Sequence, residues 1–418
     1  MVGLLMNKRK NLYNLFIDYM LGFLIVFTIL SYTENLVGSS ILKFIPGFII
    51  ILSTIGKIDF NAYKWVGWLF LIVGVMPLIL IILGVYNYDT GQSIAYIFLF
   101  SYYLVLIICL AEFYSNKLVS FITIWQVSIT LVLAGLFVIY RGISLNLSYL
   151  LSLTISNQRY GQYLLVQRYG MGFRNVNTLA MVSMLLIFCS VFNLIKSRLK
   201  ALSIIDIAAS IIFILNAESR TPFIVMFVLL ICYLISRVKN NARRIFVENL
   251  VFIFEVIIAI CFTFIFVNDS QSSFYNAIDE ISSYRLSFGT SAFILLKNIG
   301  NIFLGLGPLN SSYITKTVFG NTLTLDNSIE YYVFTLGLLG FALVYIYLFY
   351  LFFIVNKSGS KFGFITTTFY FVYSFFENTI FLPISTISLL CLTIIFITVR
   401  NYEENGTAKI NYNSHYYL

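Results

Sequence analysis

The feature that most constrains this chain is a succession of apolar runs separated by short polar links, each run close to the length that crosses about 30 Å of hydrocarbon. Backbone exposed to lipid must satisfy its hydrogen bonds internally, so such runs are expected to be helices. A transmembrane barrel would need alternating apolar and polar residues instead, and no such alternation is present. Composition agrees: of 418 residues, 60% are hydrophobic and 10% charged, with a mean hydropathy of +0.92. The fold class expected is an all-α integral membrane protein, a single polytopic membrane domain over 1–418.

Spans are expected near 14–32, 38–55, 65–86, 94–112, 119–140, 177–195, 201–217, 221–236, 246–267, 331–354, 362–382 and 384–399, about twelve transmembrane helices in all. Lys8, Arg9 and Lys10 precede a long first span that has no small-residue cleavage site, so that span is expected to be retained. Basic residues set the orientation, because Lys and Arg favour the cytoplasmic side. With both termini cytoplasmic, every cytoplasmic segment holds at least one. The net charge of +9 is spread over these short links and does not point to nucleic acid. The five cysteines, Cys109, Cys189, Cys232, Cys261 and Cys391, fall inside apolar runs without metal-like spacing and read as small core residues.

Two connections are long, and both are external on this topology: 141–176 and 268–330. Loops of this length in a compact protein are usually functional or disordered. Tyr149-Leu150-Leu151 and Tyr163-Leu164-Leu165-Val166 in one, and Phe293-Ile294-Leu295-Leu296 in the other, give apolar faces suited to interfacial helices. These two large external loops are therefore expected to form partly helical caps.

The first loop carries Arg141, Arg159, Arg168 and Arg174, against the usual scarcity of cations outside. Guanidinium forms fork-shaped hydrogen bonds with oxyanions, so a phosphate or other acidic ligand is one reading. Lipid headgroups or loop carbonyls are the other, and interfacial snorkelling suits Arg141 best. An unbroken helix would put Arg159 and Arg168 on opposite faces, so sharing one ligand requires a break between them. Arg220, in AESRTPF, either pairs with Glu218 or closes the floor of a polar cavity, and Arg285 lies in SSYRLSF.

The second loop ends in GLGPLNSSYITKTVFGNTLTLDNSIEYYVFTLGLLGF, in which Gly305, Gly307 and Pro308 suggest a turn. Asp326-Asn327 introduces a helix expected to run through Tyr331, Leu336, Gly337 and Gly340. Asp326 is either the N-cap of that helix or a carboxylate facing the arginines and taking a proton from an attacking hydroxyl. Asp18, Asp206, Glu248, Glu255 and Glu377 are acidic residues within or near spans. Glu255, near mid-span, reads either as functional or as bonded to a Tyr or Ser of a neighbouring helix.

The only histidine, His415, is in the cytoplasmic tail. No paired-carboxylate motif of the kind that holds Mg or Mn occurs, and no phosphate-binding Gly-rich loop with Lys. External chemistry in this chain is thus expected to use no metal and no nucleotide or other cofactor.

These motifs, in their order along the chain, resemble those of Wzy-type polymerases of bacterial O-antigen and capsular polysaccharide, which share an architecture with the O-antigen ligases. GFRNVN from Gly172 to Asn177, SRTPF from Ser219, GLGP…DNSIEYYVFTLGLLG, and an Arg followed after ten residues by a Gly, Arg159 to Gly170, carry the likeness. The resemblance implies a glycosyltransferase that moves a growing glycan from undecaprenyl diphosphate onto the non-reducing end of a lipid-linked repeat unit. It also implies the outer face of the bacterial cytoplasmic membrane, membrane lipid as surroundings, and a chain-length regulator and a flippase as partners. On this reading Arg159, Arg168, Arg174, Arg220 and Arg285 offset the diphosphate charge and Asp326 serves the acceptor. Ligases carry a His where this chain has Asp326, which favours polymerase over ligase. Arg285 lacks a Gly at the matching spacing, so only the first loop follows the pattern. The alternatives are a ligase-type or related lipid-linked glycan transferase and, from another class, a flippase or exporter of lipid-linked oligosaccharide, which would show internal repeats and broken helices.

Overall fold

A computed structural model describes residues 2–34, 39–87, 89–140, 169–219, 221–267, 275–276, 279, 285–309, 325, 327–383 and 385–407. Among them every regular element is helical, and eight helices are long and apolar enough to cross a membrane. The chain is an α-helical multi-pass membrane protein. The segments expected near 38–55, 65–86, 221–236 and 362–382 are also helical, but as shorter or interrupted pieces. Contacts divide the chain into two compact units: unit 1 is Met1–Ile58 with Ile108–Met226, and unit 2 is Asp59–Ile107 with Phe227–Leu418.

Unit 1 holds α1 (Val2–Leu30), α2 (Ser39–Leu42), α3 (Phe44–Thr54) and the last turns of a helix that begins in unit 2. Their apolar residues recur at helical spacing. In α1, Ile17, Leu21, Leu24 and Ile25 are buried, one stripe at i, i+4, i+7 and i+8. Lys43 separates α2 from α3, so the second apolar run is two helices.

Unit 2 contributes α4 (Val66–Phe70) and α5 (Met76–Ile82), joined by one π-helical stretch, Leu71–Val75, ahead of Pro77. Proline has no N–H to give back to the preceding turn, which loosens the ladder at that point. Next come α6 (Thr90–Tyr114), shared between the units, and, in unit 1, α7 (Leu118–Tyr140), α8 (Val176–Ile195) and α9 (Lys200–Ala217). α1 packs on α7, and a Cβ at Gly22 would lie 3.4 Å from Ser128 Oγ, an ordinary contact. On α8 Ser183 and Ser190, and on α9 Ser203 and Ser210, are fully buried seven residues apart. Small residues at this spacing let two helices pack closely without a large hydrophobic driving force.

α10 (Thr221–Ser236) leads to α11 (Asn241–Val267) and α12 (Arg285–Ile299) in unit 2. Phe246, Leu250, Phe254, Ile257 and Phe264 of α11 are exposed, while Glu248, Glu255 and Ala259 are buried. Such an apolar outer face suits lipid. α13 (Ser328–Lys357), α14 (Lys361–Ser374) and α15 (Thr386–Thr407) complete the unit, and α13 packs on α11, α12, α14 and α15.

One expectation is overturned. The helix read as running through Gly337 is broken there, at φ 68° and ψ −178°, a conformation essentially reserved for glycine. The gap is filled by the 302–307 backbone. Leu306 N and Gly307 N donate to the carbonyls of Phe334 (3.1 Å) and Thr335 (2.8 Å), and Leu338 N and Leu339 N donate to those of Ile302 (2.9 Å) and Phe303 (3.2 Å). Helix breaks at membrane depth need such substitute partners. No side chain fits: a Cβ on Gly337 would lie 2.3 Å from Phe303 C, and one on Gly305 2.5 Å from Gly337 N.

Candidate functional site

One set of polar groups in unit 2 gathers at the N-terminal end of α13. Asn327 has an extended backbone and its side chain accepts from the amides of Ile329 and Glu330, the arrangement that satisfies the free N–H groups of a first turn. Its Nδ2 also donates to Phe375 O at 3.0 Å. Ser328 Oγ accepts from Thr379 N at 2.9 Å and Ile380 N at 3.2 Å. Tyr332 Oη donates to Ile380 O at 2.8 Å. From α14, Tyr370 Oη donates to Thr379 O at 3.0 Å and accepts from Phe381 N at 2.7 Å. The connection between α14 and α15 is thereby fixed over the start of α13, with Phe381 held at positive φ.

The 304–309 segment is tied to the same end. Tyr331 Oη donates to Leu309 O at 2.8 Å, and Tyr86 Oη to Leu304 O at 2.5 Å. Tyr96 stacks obliquely on Tyr331, 6.5 Å between ring centres. Glu330, one turn into α13, is buried and presses against α12. A Cβ on Gly289 would lie 2.7 Å from its carboxyl carbon. Asn378 Oδ1 and Nδ2, Thr379 Oγ1 and Thr386 Oγ1 are buried with no hydrogen-bond partner among the described residues. Buried polar atoms are nearly always paired, so this set of donors and acceptors suits a polar ligand or water.

Arg159, Arg168, Arg220 and Asp326 lie outside the described residues, as do the 141–168 part of the first loop and Arg141. Arg285 begins α12, its side chain outside the description. The cap position of α13 belongs to Asn327, the residue after Asp326. Asn327 with Glu330 three positions on is a capping-box spacing, and that spacing was the signal by which Glu330 was legible.

In unit 1, Arg174 is exposed on a turn whose backbone N donates to Tyr32 O at 3.0 Å. Tyr169 N reaches Asn216 O at 3.3 Å and Tyr169 Oη reaches Tyr140 O at 2.5 Å. The ends of α1, α7 and α9 and the start of α8 therefore meet, and Arg174 lies at the same end of the unit as Glu218, which closes α9 at φ 48°. Glu255 is apart from the α13 site, buried in α11 beside Thr368 of α14. Cys232 of α10 faces the same threonine. Among the described residues no group of three or more His, Cys, Asp or Glu side chains is placed to hold a metal ion. No family model, no curated protein and no solved structure matches this chain.

Proposed function

We propose that this chain is a polysaccharide polymerase, transferring a growing glycan from undecaprenyl diphosphate to the non-reducing end of a lipid-linked repeat unit. It does so on the outer face of a bacterial cytoplasmic membrane, with both termini cytoplasmic. The observation that carries the reading is the occupancy of the α13 cap: Asn327 satisfies the first-turn amides, so capping of this helix does not call on the neighbouring Asp326.

In this mechanism the acceptor hydroxyl oxygen attacks the anomeric carbon of the donor, and its proton passes to Asp326. The bond from that carbon to the diphosphate oxygen breaks, and undecaprenyl diphosphate leaves with the electron pair. Arg220, with Arg159, Arg168, Arg174 and Arg285 as further diphosphate or glycan contacts, offsets the charge on the leaving group. Fixed cations aimed at developing charge are commonly the largest catalytic contribution, and one such group is worth roughly 3 kcal/mol. The partners on this reading are a flippase that delivers the repeat unit and a chain-length regulator. Arg220→Ala is expected to abolish polymer while the protein still reaches the membrane. Normal chain length in that variant would overturn the assignment.

A second reading has one observation in its favour. The break in α13 at Gly337 is of the kind that discontinuous helices show in transporters, where half-helix ends face a substrate. Here the freed backbone groups are taken up by residues 302–307. An exporter of lipid-linked oligosaccharide would move its lipid across a vesicle bilayer without lengthening the glycan.

A further inference from the structure

Unit 1 contains a titratable group that the proposed reaction does not use. Asp206 of α9 is buried, six residues beyond Lys200, roughly 9 Å along the helix. Its Oδ2 accepts from Gln126 Nε2 at 2.6 Å and lies 3.0 Å from Thr130 Oγ1, both on α7. Ser190 of α8 faces the same carboxyl, and its hydroxyl is buried with no hydrogen-bond partner of its own among the described residues. Cys189, next along α8, is the titratable neighbour. Ser203, one turn earlier on α9, accepts from Gln126 Nε2 at 3.1 Å. No Lys or Arg lies within ion-pair distance of Asp206 among the described residues.

The orientation of the Gln126 amide is set from its other end. Asn193 Nδ2 donates to Gln126 Oε1 at 2.6 Å, and the Gln126 amide nitrogen faces Asp206. Gln126 is therefore a fixed donor. The two hydroxyls are not fixed. Thr130 has one hydrogen for two acceptors, Asp206 and the Gln126 carbonyl at 2.9 Å, and Ser190 has no other commitment. Each hydroxyl can donate to a carboxylate or, turned about its C–O bond, accept from a carboxylic acid. The cluster thus suits both protonation states without moving a heavy atom. An unpaired carboxylate in hydrocarbon surroundings is expensive, and in the absence of a cation the available compensating charge is a proton.

We infer that Asp206 is a proton-binding site inside unit 1, holding a proton at neutral pH and exchanging it through the Thr130 and Ser190 hydroxyls. The test is infrared spectroscopy of the purified protein in detergent at neutral pH. The wild type is expected to show the carbonyl stretch of a protonated carboxylic acid that Asp206→Asn lacks and that shifts in D2O. Asparagine offers the same acceptor to Gln126 and a donor to the hydroxyls, so Asp206→Asn is expected to keep the wild-type melting temperature while Asp206→Ala lowers it. Should Asp206→Asn fail to fold, Asp206→Glu replaces it, with a displaced band expected. A wild-type spectrum in which no protonated-acid band depends on residue 206 would overturn the inference, as would a band that never shifts in D2O.

Discussion

The helices α8 and α13 both run through buried surroundings, yet they handle polar groups in opposite ways. α8 is unbroken, and its buried Asn193 joins a side-chain network with Gln126, Thr130, Ser203 and Asp206, whose carboxyl Ser190 faces. α13 interrupts its own ladder at Gly337 and passes the freed amides and carbonyls to another stretch of main chain. Side-chain networks have rotors and isosteres, so they tolerate conservative change. A main-chain exchange has none: its geometry is closed by glycines at 305 and 337, both at positive φ with backbone where a Cβ would be.

This contrast predicts a ranking of substitutions. The largest effect is expected from Gly337→Ala, which meets Phe303 C at 2.3 Å while forcing alanine into a left-handed backbone. The combined cost should exceed about 4 kcal/mol, seen as loss of the monodisperse species after detergent extraction. A Gly337→Ala protein that melts like the wild type would show that the exchange does not hold α13 together. An intermediate effect is expected from Gln126→Ala, which removes the shared partner of Asn193, Ser203 and Asp206. Leaving buried polar groups unmatched costs about 1–3 kcal/mol each, so a clear fall in melting temperature is expected with the protein still folded. The smallest effect, opposite in sign, belongs to Gly135→Ala in α7, where a Cβ would meet nothing within 4 Å. Alanine there should stabilise by roughly 0.5–1 kcal/mol. Equal effects at Gly135 and Gly337 would erase the distinction between the two regions.

Much of the helical scaffold was legible because the length and polarity of a run decide whether it can be a helix in lipid. The interruption of the second run at Lys43 and the stripe of α1 follow from single residues visible in the chain. The break in α13 was not legible in the same way. Gly337 and Gly340 within an apolar run are compatible with an ordinary helix, and only the partner, 302–307, distinguishes the two outcomes. That partner is some thirty residues away and identifies itself through backbone atoms, which carry no sequence signal. The Gln126–Asn193–Asp206 network was hidden for a related reason: its members lie in three separate runs, and a lone Gln or Asn in an apolar stretch gives no sign of what it meets. At the site, Asn327 stood beside the residue credited with the capping alternative, because Asp and Asn are equally good caps. The loop arginines carry the chemistry proposed for the chain, and Arg174 alone among the proposed site arginines has its side chain within the described residues.

The central claim is tested most directly by incubating the purified protein in detergent with lipid-linked repeat units, a chelator and no nucleotide, and resolving the products on a gel. The account predicts a glycan ladder from the wild type, lost in Asp326→Ala and Arg220→Ala proteins that remain monodisperse. A wild-type protein that makes no ladder but moves the same lipid across vesicle bilayers would contradict it.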